Sequence, residues 1–306
     1  MSFTLGTFEN YRRDTLAAKK RYRDQFKERP EDWSKGEVGQ PPASAREFKW
    51  APYLRADNIR VGRSAGAIAT DLRAISLGEF SEQEAQEAIA GSIGRYGERL
   101  NDLKPLFGDI AREAKDTEHP GRRYAWVDIE TTCLNESVGD IIEVGLLVTD
   151  EHGDTIEEVD ELFGLSDPDF ERAIGMVGAE AVHGIGMDKL DGLAPFTSDN
   201  PAYEKVREVL CDPEVIMVSH NKNFENAWFS LYLDGFFEVH QRSLPTTSPR
   251  ALELDTKTVA RMLTDASALS LQAFVEKMGL AYVNAHRAMN DVVMMKDAFF
   301  RVRDAL

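Results

Sequence analysis

From Tyr124 onward the chain alternates short apolar runs of strand length with stretches of helical period, and that alternation permits little besides an α/β sheet flanked by helices. Residues 124–129, 141–149 and the acid-rich but alternating 155–165 predict three successive antiparallel strands, the last two joined by a turn at His152-Gly153-Asp154. A helix around 203–210, a buried strand at 215–219, a helix at 224–233 and a short strand at 253–255 follow. Helices at 256–263, 270–278 and 287–303 complete a βββαβαβα order with five strands in one mixed sheet.

The first 120 residues have a different texture, and breaker-rich stretches at 36–44 and 116–123 read as linkers, with a domain boundary near residue 120. Within this mostly helical N-terminal region, 11–29 predicts a basic docking helix with Leu16, Ala17, Tyr22 and Phe26 on a partial apolar stripe. Lys19, Lys20 and Arg23 lie elsewhere on it, available to a partner protein, a second copy or a substrate path. A stronger helix starts at Ser81, which pairs with Glu84 as a capping box, and runs to about Leu103. No catalytic constellation is visible before residue 121.

Charge separates the two parts. Residues 1–120 hold 20 basic and 20 acidic side chains, whereas 121–306 hold 16 and 33, which is the whole net charge of −17. An acidic domain is a poor grip for long duplex nucleic acid, whose binding depends on cationic side chains releasing counterions, but it suits divalent cations. No apolar run reaches the roughly 18 residues of a membrane helix, and residues 1–10 lack a signal-peptide pattern. Cys133 and Cys211 form no metal-binding or disulfide pattern. A cytoplasmic protein without membrane contact is the expectation.

Three acidic segments interrupt the apolar pattern. Asp128 and Glu130, two apart on a strand, present two carboxylates on one face, although ordinary strand alternation also produces such a pair. The run Ser219-His220-Asn221-Lys222-Asn223-Phe224-Glu225 comes after a buried strand and opens a helix; its asparagines could also be simple caps, with Glu225 complementing the helix dipole. His286 precedes Asp291 by five positions at the start of the last amphipathic helix.

Taken together, these segments resemble the DEDDh branch of the DnaQ-like, ribonuclease H-like 3′-to-5′ exonucleases, which include proofreading exonucleases and oligoribonuclease. The strand order is likewise that of a ribonuclease H-like sheet. Supporting stretches are IIEVGLLVTD after the first motif, Ala181 to Ile185 (AVHGI), and LDTKTVARML with SLQAFVEKMGL before the third. The likeness spans roughly 122–306 and departs at Cys133, where the family usually has Gly, and at Glu225, where it usually has Asp.

The resemblance implies a two-metal hydrolysis of the phosphodiester at the 3′ end of single-stranded DNA or RNA. Asp128, Glu130, Glu225 and Asp291 would hold two Mg²⁺ or Mn²⁺ ions, and His286 would be the general base. Thr131 and Thr132 would lie at the 3′ hydroxyl, Leu134 against the terminal base, and Asn221 beside the substrate. The alternative is a binding or assembly module in which Cys133 and Glu225 mark a decayed site and the N-terminal region carries the work. An endonuclease-like or deadenylase-like preference is a third reading.

Overall fold

A strand covered on both faces needs apolar residues throughout, whereas an edge strand tolerates charge. The computed structural model, which describes residues 5–30, 123–136, 138–174, 176–240, 253–263, 270–281 and 286–305, obeys this rule strand by strand. Strands β1 (Arg123–Thr131), β2 (Ile141–Thr149), β3 (Thr155–Leu162), β4 (Val215–Ser219) and β5 (Glu253–Asp255) form one five-stranded sheet in the order β3-β2-β1-β4-β5. β1 runs antiparallel to β2, and β2 to β3, while β4 is parallel to both β1 and β5. β2 is buried along its whole length, but at the edge β3 buries only Val159 and exposes its acids. This is the ribonuclease H-like mixed sheet expected from the sequence.

The helices, in chain order, are α1 (Leu5–Glu28), α2 (Pro168–Ile174), α3 (Met176–His183), α4 (Met187–Leu190), α5 (Pro201–Leu210), α6 (Lys222–Tyr232), α7 (Phe236–His240), α8 (Thr256–Leu263), α9 (Leu271–Lys277) and α10 (Ala288–Ala305). Period-two alternation in β1 divides the core. Tyr124 and Trp126 pack with Val259, Phe274 and Phe299 from α8, α9 and α10. Ala125, Val127 and Ile129 pack on the opposite face with Tyr203, Trp228 and Phe229 from α5 and α6. The β2–β3 turn is tied by Asp150 Oδ1, which accepts from the amides of His152 and Asp154 at 2.9 Å, and Gly153 supplies the left-handed φ of 92°.

Three outcomes differ from expectation. The third strand ends at Leu162 rather than 165, and no element was predicted where α7 lies or in the stretch filled by α2, α3 and α4. With 7, 8 and 4 residues they are too short to display a helical period, although Pro168 in the first turn of α2 is a readable start signal. The apolar stripe of α1 also faces differently: Leu16 is exposed, and the buried positions are Thr15, Lys19 and Tyr22. The linker at 36–44, residues 116–122 of the linker at 116–123 and the helix expected at 81–103 lie outside the described residues, whereas Arg123, the last residue of that linker, opens β1. Among the described residues, no helix is long and apolar enough to cross a membrane.

Candidate active site

The face of β1 that carries Trp126 continues into Asp128 and Glu130. Trp126 is covered by α10, its ring 5.2 Å from that of Phe299. The helix begins only at Ala288, so the two carboxylates beyond Trp126 lie at its open N-terminal end. Gly145 on β2 is the register partner of Asp128, and a Cβ there would collide with the backbone of Ala288 and Met289. Glycine at this position lets the start of α10 rest directly on the sheet, which delivers Asp291 from the first turn to Asp128 and Glu130. Oxygens of these three carboxylates lie within 4.8 Å of one another.

Glu143, which the sequence marks only by its place in the IIEVG stretch, fixes that helix. It pairs with Glu130 across β1 and β2 and is almost fully buried. One carboxylate oxygen accepts from Arg287 Nε and Nη2 at 2.8 and 2.6 Å; the other accepts from the Ala288 amide at 3.0 Å. A charged group accepting the first amides of a helix satisfies donors that the helix leaves open. Glu143→Ala is therefore expected to lower stability by about 2 kcal/mol, since it removes a cap and a charge-assisted hydrogen bond whose arginine is partly exposed. Activity should fall with it, because Asp291 loses its anchor; a melting curve and a turnover assay on the same variant check both.

Electrostatics of the cluster are those of an incomplete site. Burial, then the like charges of Glu130, Glu225, Asp291 and Glu143, push the Asp128 carboxyl well above its usual range. Burial and Asp291 push Glu130 up to about 8, and burial with Asp255 pushes Glu225 up to about 8. Glu225 is buried at the start of α6, outside the tight triad but close enough to act on Asp128, and its Oε2 has no hydrogen-bond partner among the described residues. Acids converging with burial and mutual repulsion outweighing the nearby cations Arg287 and Lys257, and one oxygen of Glu225 without a hydrogen bond among the described residues, suit hard divalent ions, whose ligands are carboxylate oxygens.

These shifts make stability depend on pH. With folded values raised above those of the unfolded chain, Glu130 and Glu225 bind protons in the folded state between roughly pH 4.5 and 8 and release them on unfolding. Their contribution to stability is complete at low pH and is lost as pH rises towards 8. Metal-free protein should therefore melt at lower temperature at pH 8.5 than at pH 7, and Mn²⁺ should reverse the trend, because the ion replaces the protons. Thermal melts with chelator and with Mn²⁺ test this; a chelator curve that rises over the interval would contradict it.

The remaining predicted residues fall into two groups. Leu134 is 84% exposed, at the tip of the segment after β1. His286 is exposed, with a left-handed φ of 59°, one residue before Arg287. Thr131 is buried and donates to the Cys133 carbonyl at 2.8 Å. The Thr132 side chain is fully buried, its hydroxyl donates to Glu171 at 2.6 Å and accepts from the Asp140 amide at 2.8 Å, and its own amide donates to the Asp140 carbonyl. Asn221 takes the N-cap position of α6 with φ 109° but makes no side-chain cap; its amide donates to Asp255, and its side-chain oxygen lies 3.5 Å from Lys257 Nζ.

Cys133 is buried as well. It packs with Tyr22, Val138 and Phe170, and burial pushes its thiol up to about 12, so it is an inert core group. Sequence reasoning missed His183, although it lies in the AVHGI stretch. Its buried ring accepts from the Ile185 amide at Nδ1, 3.0 Å, and burial lowers its pKa, placing a neutral imidazole beside Thr131 and within electrostatic reach of Glu143 and His286.

The RNase_T exonuclease family model matches residues 125–299. The PolC-type DNA polymerase III proteins of Thermotoga petrophila and Thermotoga maritima are each 27% identical over 222 residues, covering 72% of this chain and 15% of theirs. The chain thus spans about 15% of the length of the curated relatives it matches. Among solved structures, E. coli exonuclease I with a dA16 oligonucleotide is similar at 15% identity and a TM-score of 0.44, covering 60% of this chain and 41% of that one. Pop2p of S. pombe, in a form with Mg²⁺ and Mn²⁺ bound, matches at 13% identity and a TM-score of 0.42, covering 66% and 90%.

Proposed function

This chain belongs to the RNase_T exonuclease family, and on that premise we propose that it removes nucleotides from the 3′ end of single-stranded DNA or RNA with Mg²⁺ or Mn²⁺ as cofactor. The convergence of Asp128, Glu130 and Asp291 within 4.8 Å carries the reading, with Glu225 as the fourth ligand. Two divalent ions held there would neutralise charge on the phosphodiester and the departing 3′ oxygen and favour ionisation of the attacking water. His286, exposed five positions before Asp291, accepts the proton of that water, the role in which imidazole is most common. Leu134 offers an apolar surface to the terminal base. The acid excess of residues 121–306 supports short or single-stranded substrates over long duplex.

The alternative of a decayed binding module drew on Cys133 and Glu225. Cys133 is buried under α1 and takes no space at the carboxylates, and Glu225 keeps an open oxygen, so both departures are compatible with a working site. The test is incubation with 5′-labelled single-stranded DNA and RNA oligomers in Mg²⁺, Mn²⁺ or chelator. A ladder shortening from the 3′ end, absent in chelator, is expected. Folded protein that leaves both oligomers intact in both metals would overturn the reading and favour the binding module.

A further inference from the structure

The segment after β1, described at residues 132–136 and 138–140, is closed by paired hydrogen bonds between Thr132 and Asp140. Gly139 packs so tightly inside it that a Cβ there would stand 2.6 Å from the Thr132 hydroxyl and 2.7 Å from the Cys133 sulfur. This closed segment presents Leu134, yet its base is acidic and buried. Asp140 and Glu171 are both buried carboxylates, Glu171 bonded to the Thr132 hydroxyl and Asp140 tied to Thr132 through its backbone, and like charges this near oppose each other unless cations intervene.

Those cations come from outside the region matched by the family. Lys19, buried on α1, donates to Asp140 Oδ1 at 2.8 Å, to the Gly139 carbonyl and to the Tyr232 hydroxyl. Arg23 adds a bond to Asp140 at 3.0 Å and approaches Glu171 at 3.6 Å. Burial alone would raise the Asp140 carboxyl, but Lys19 and Arg23 hold it well below its usual range. Tyr232 is the last residue of α6, the helix that carries Glu225, and its hydroxyl also reaches the Gly139 carbonyl at 2.9 Å. Earlier on α1, Arg12 bonds the Leu231 carbonyl at 3.0 Å and Asp234 at 2.5 Å. The ammonium of Lys19 therefore joins the segment behind Leu134 to the helix behind Glu225.

We propose that α1 is a built-in part of the substrate site, with Lys19 a positioning residue that holds the 132–140 segment against α6 so that Leu134 meets the terminal nucleotide. The inference rests on the exonuclease reading above. A role for α1 in docking partners alone would leave the segment's order and nucleotide affinity untouched by Lys19.

The test compares Lys19→Met and Lys19→Arg with the unaltered full chain. Hydrogen exchange reads the order of residues 132–140, and fluorescence anisotropy with a labelled single-stranded oligonucleotide in Ca²⁺ reads affinity. Lys19→Met should speed exchange at the Thr132 and Asp140 amides, weaken oligonucleotide binding about tenfold or more, and raise KM more than it lowers kcat; Lys19→Arg should recover part of each. Should Lys19→Met not fold, Lys19→Arg alone must still show weaker binding and a raised KM. Exchange in the segment equal to wild type, or binding within about twofold of it, would overturn the proposal. Failure of the exonuclease reading is seen separately, because it appears in the unaltered protein as intact oligonucleotides in Mg²⁺ and Mn²⁺ whether or not they bind, and it removes this proposal with it.

Discussion

Asp128→Asn is expected to lower kcat/KM by about 10³-fold or more and to weaken Mn²⁺ binding together with it. Asp128 shares the carboxylate cluster with Glu130 and Asp291, on the strand opposite Gly145, so its oxygens are part of the only such cluster among the described residues. Losing one ligand removes several kcal/mol of charge stabilisation in the transition state, and each 1.36 kcal/mol is a factor of about ten in rate. The same substitution should raise the melting temperature of the protein in chelator. Burial and neighbouring carboxylates hold the Asp128 carboxyl well above its usual range, so folding must take up a proton that Asn does not need. Calorimetry in chelator and titration with Mn²⁺ read the two effects. An Asn variant that is inactive and also less stable in chelator would point to a structural role for Asp128 rather than a ligand role.

His286→Ala should lower kcat by about 10²- to 10⁴-fold, the usual contribution of a positioned proton acceptor, with Mn²⁺ affinity close to wild type. Its two C-terminal neighbours hold the residue in place. Arg287 is clamped to Glu143, α10 starts at Ala288, and the left-handed φ of His286 turns the chain just ahead of both. A non-glycine residue in that region carries a strain of roughly 1 kcal/mol, so Ala should neither stabilise nor disrupt the fold appreciably. Single-turnover rates at saturating metal, beside metal titration, separate the roles: a variant that retains most of its rate excludes His286 as the base, and one that loses metal affinity in proportion to rate makes it a ligand.

Much of the sheet was legible because its signals are local. Strands 141–149, 215–219 and 253–255 coincide with the observed β2, β4 and β5, since an apolar run bounded by breakers needs no distant partner to be recognised. The short helices α2 to α4 carried no such signal, being too brief to establish a period. At the site, Asp128, Glu130 and Asp291 stood out as acids set into apolar patterns, and the structure brings these three together. Glu143 did not stand out by itself, although it is as deeply buried as its apolar neighbours, because nothing in IIEVG shows that Arg287 and the Ala288 amide will come to meet it.

Thr132, Cys133 and Lys19 mark the boundary most sharply. A family pattern places the first two beside the nucleotide, and helical period puts the third on the polar side of α1. In the folded chain Lys19 reaches Asp140, 121 positions away, and all three become interior groups of one contact between α1 and the segment after β1. The amino-acid sequence by itself determined which segments become strands and which acids are misplaced for a core, because each depends on periodicity over a few residues. Which of those acids share one site, and which polar groups turn inward to brace it, was decided only by tertiary structure, because a buried charge is stable only where its partner lies in space, and that partner has no fixed distance along the chain.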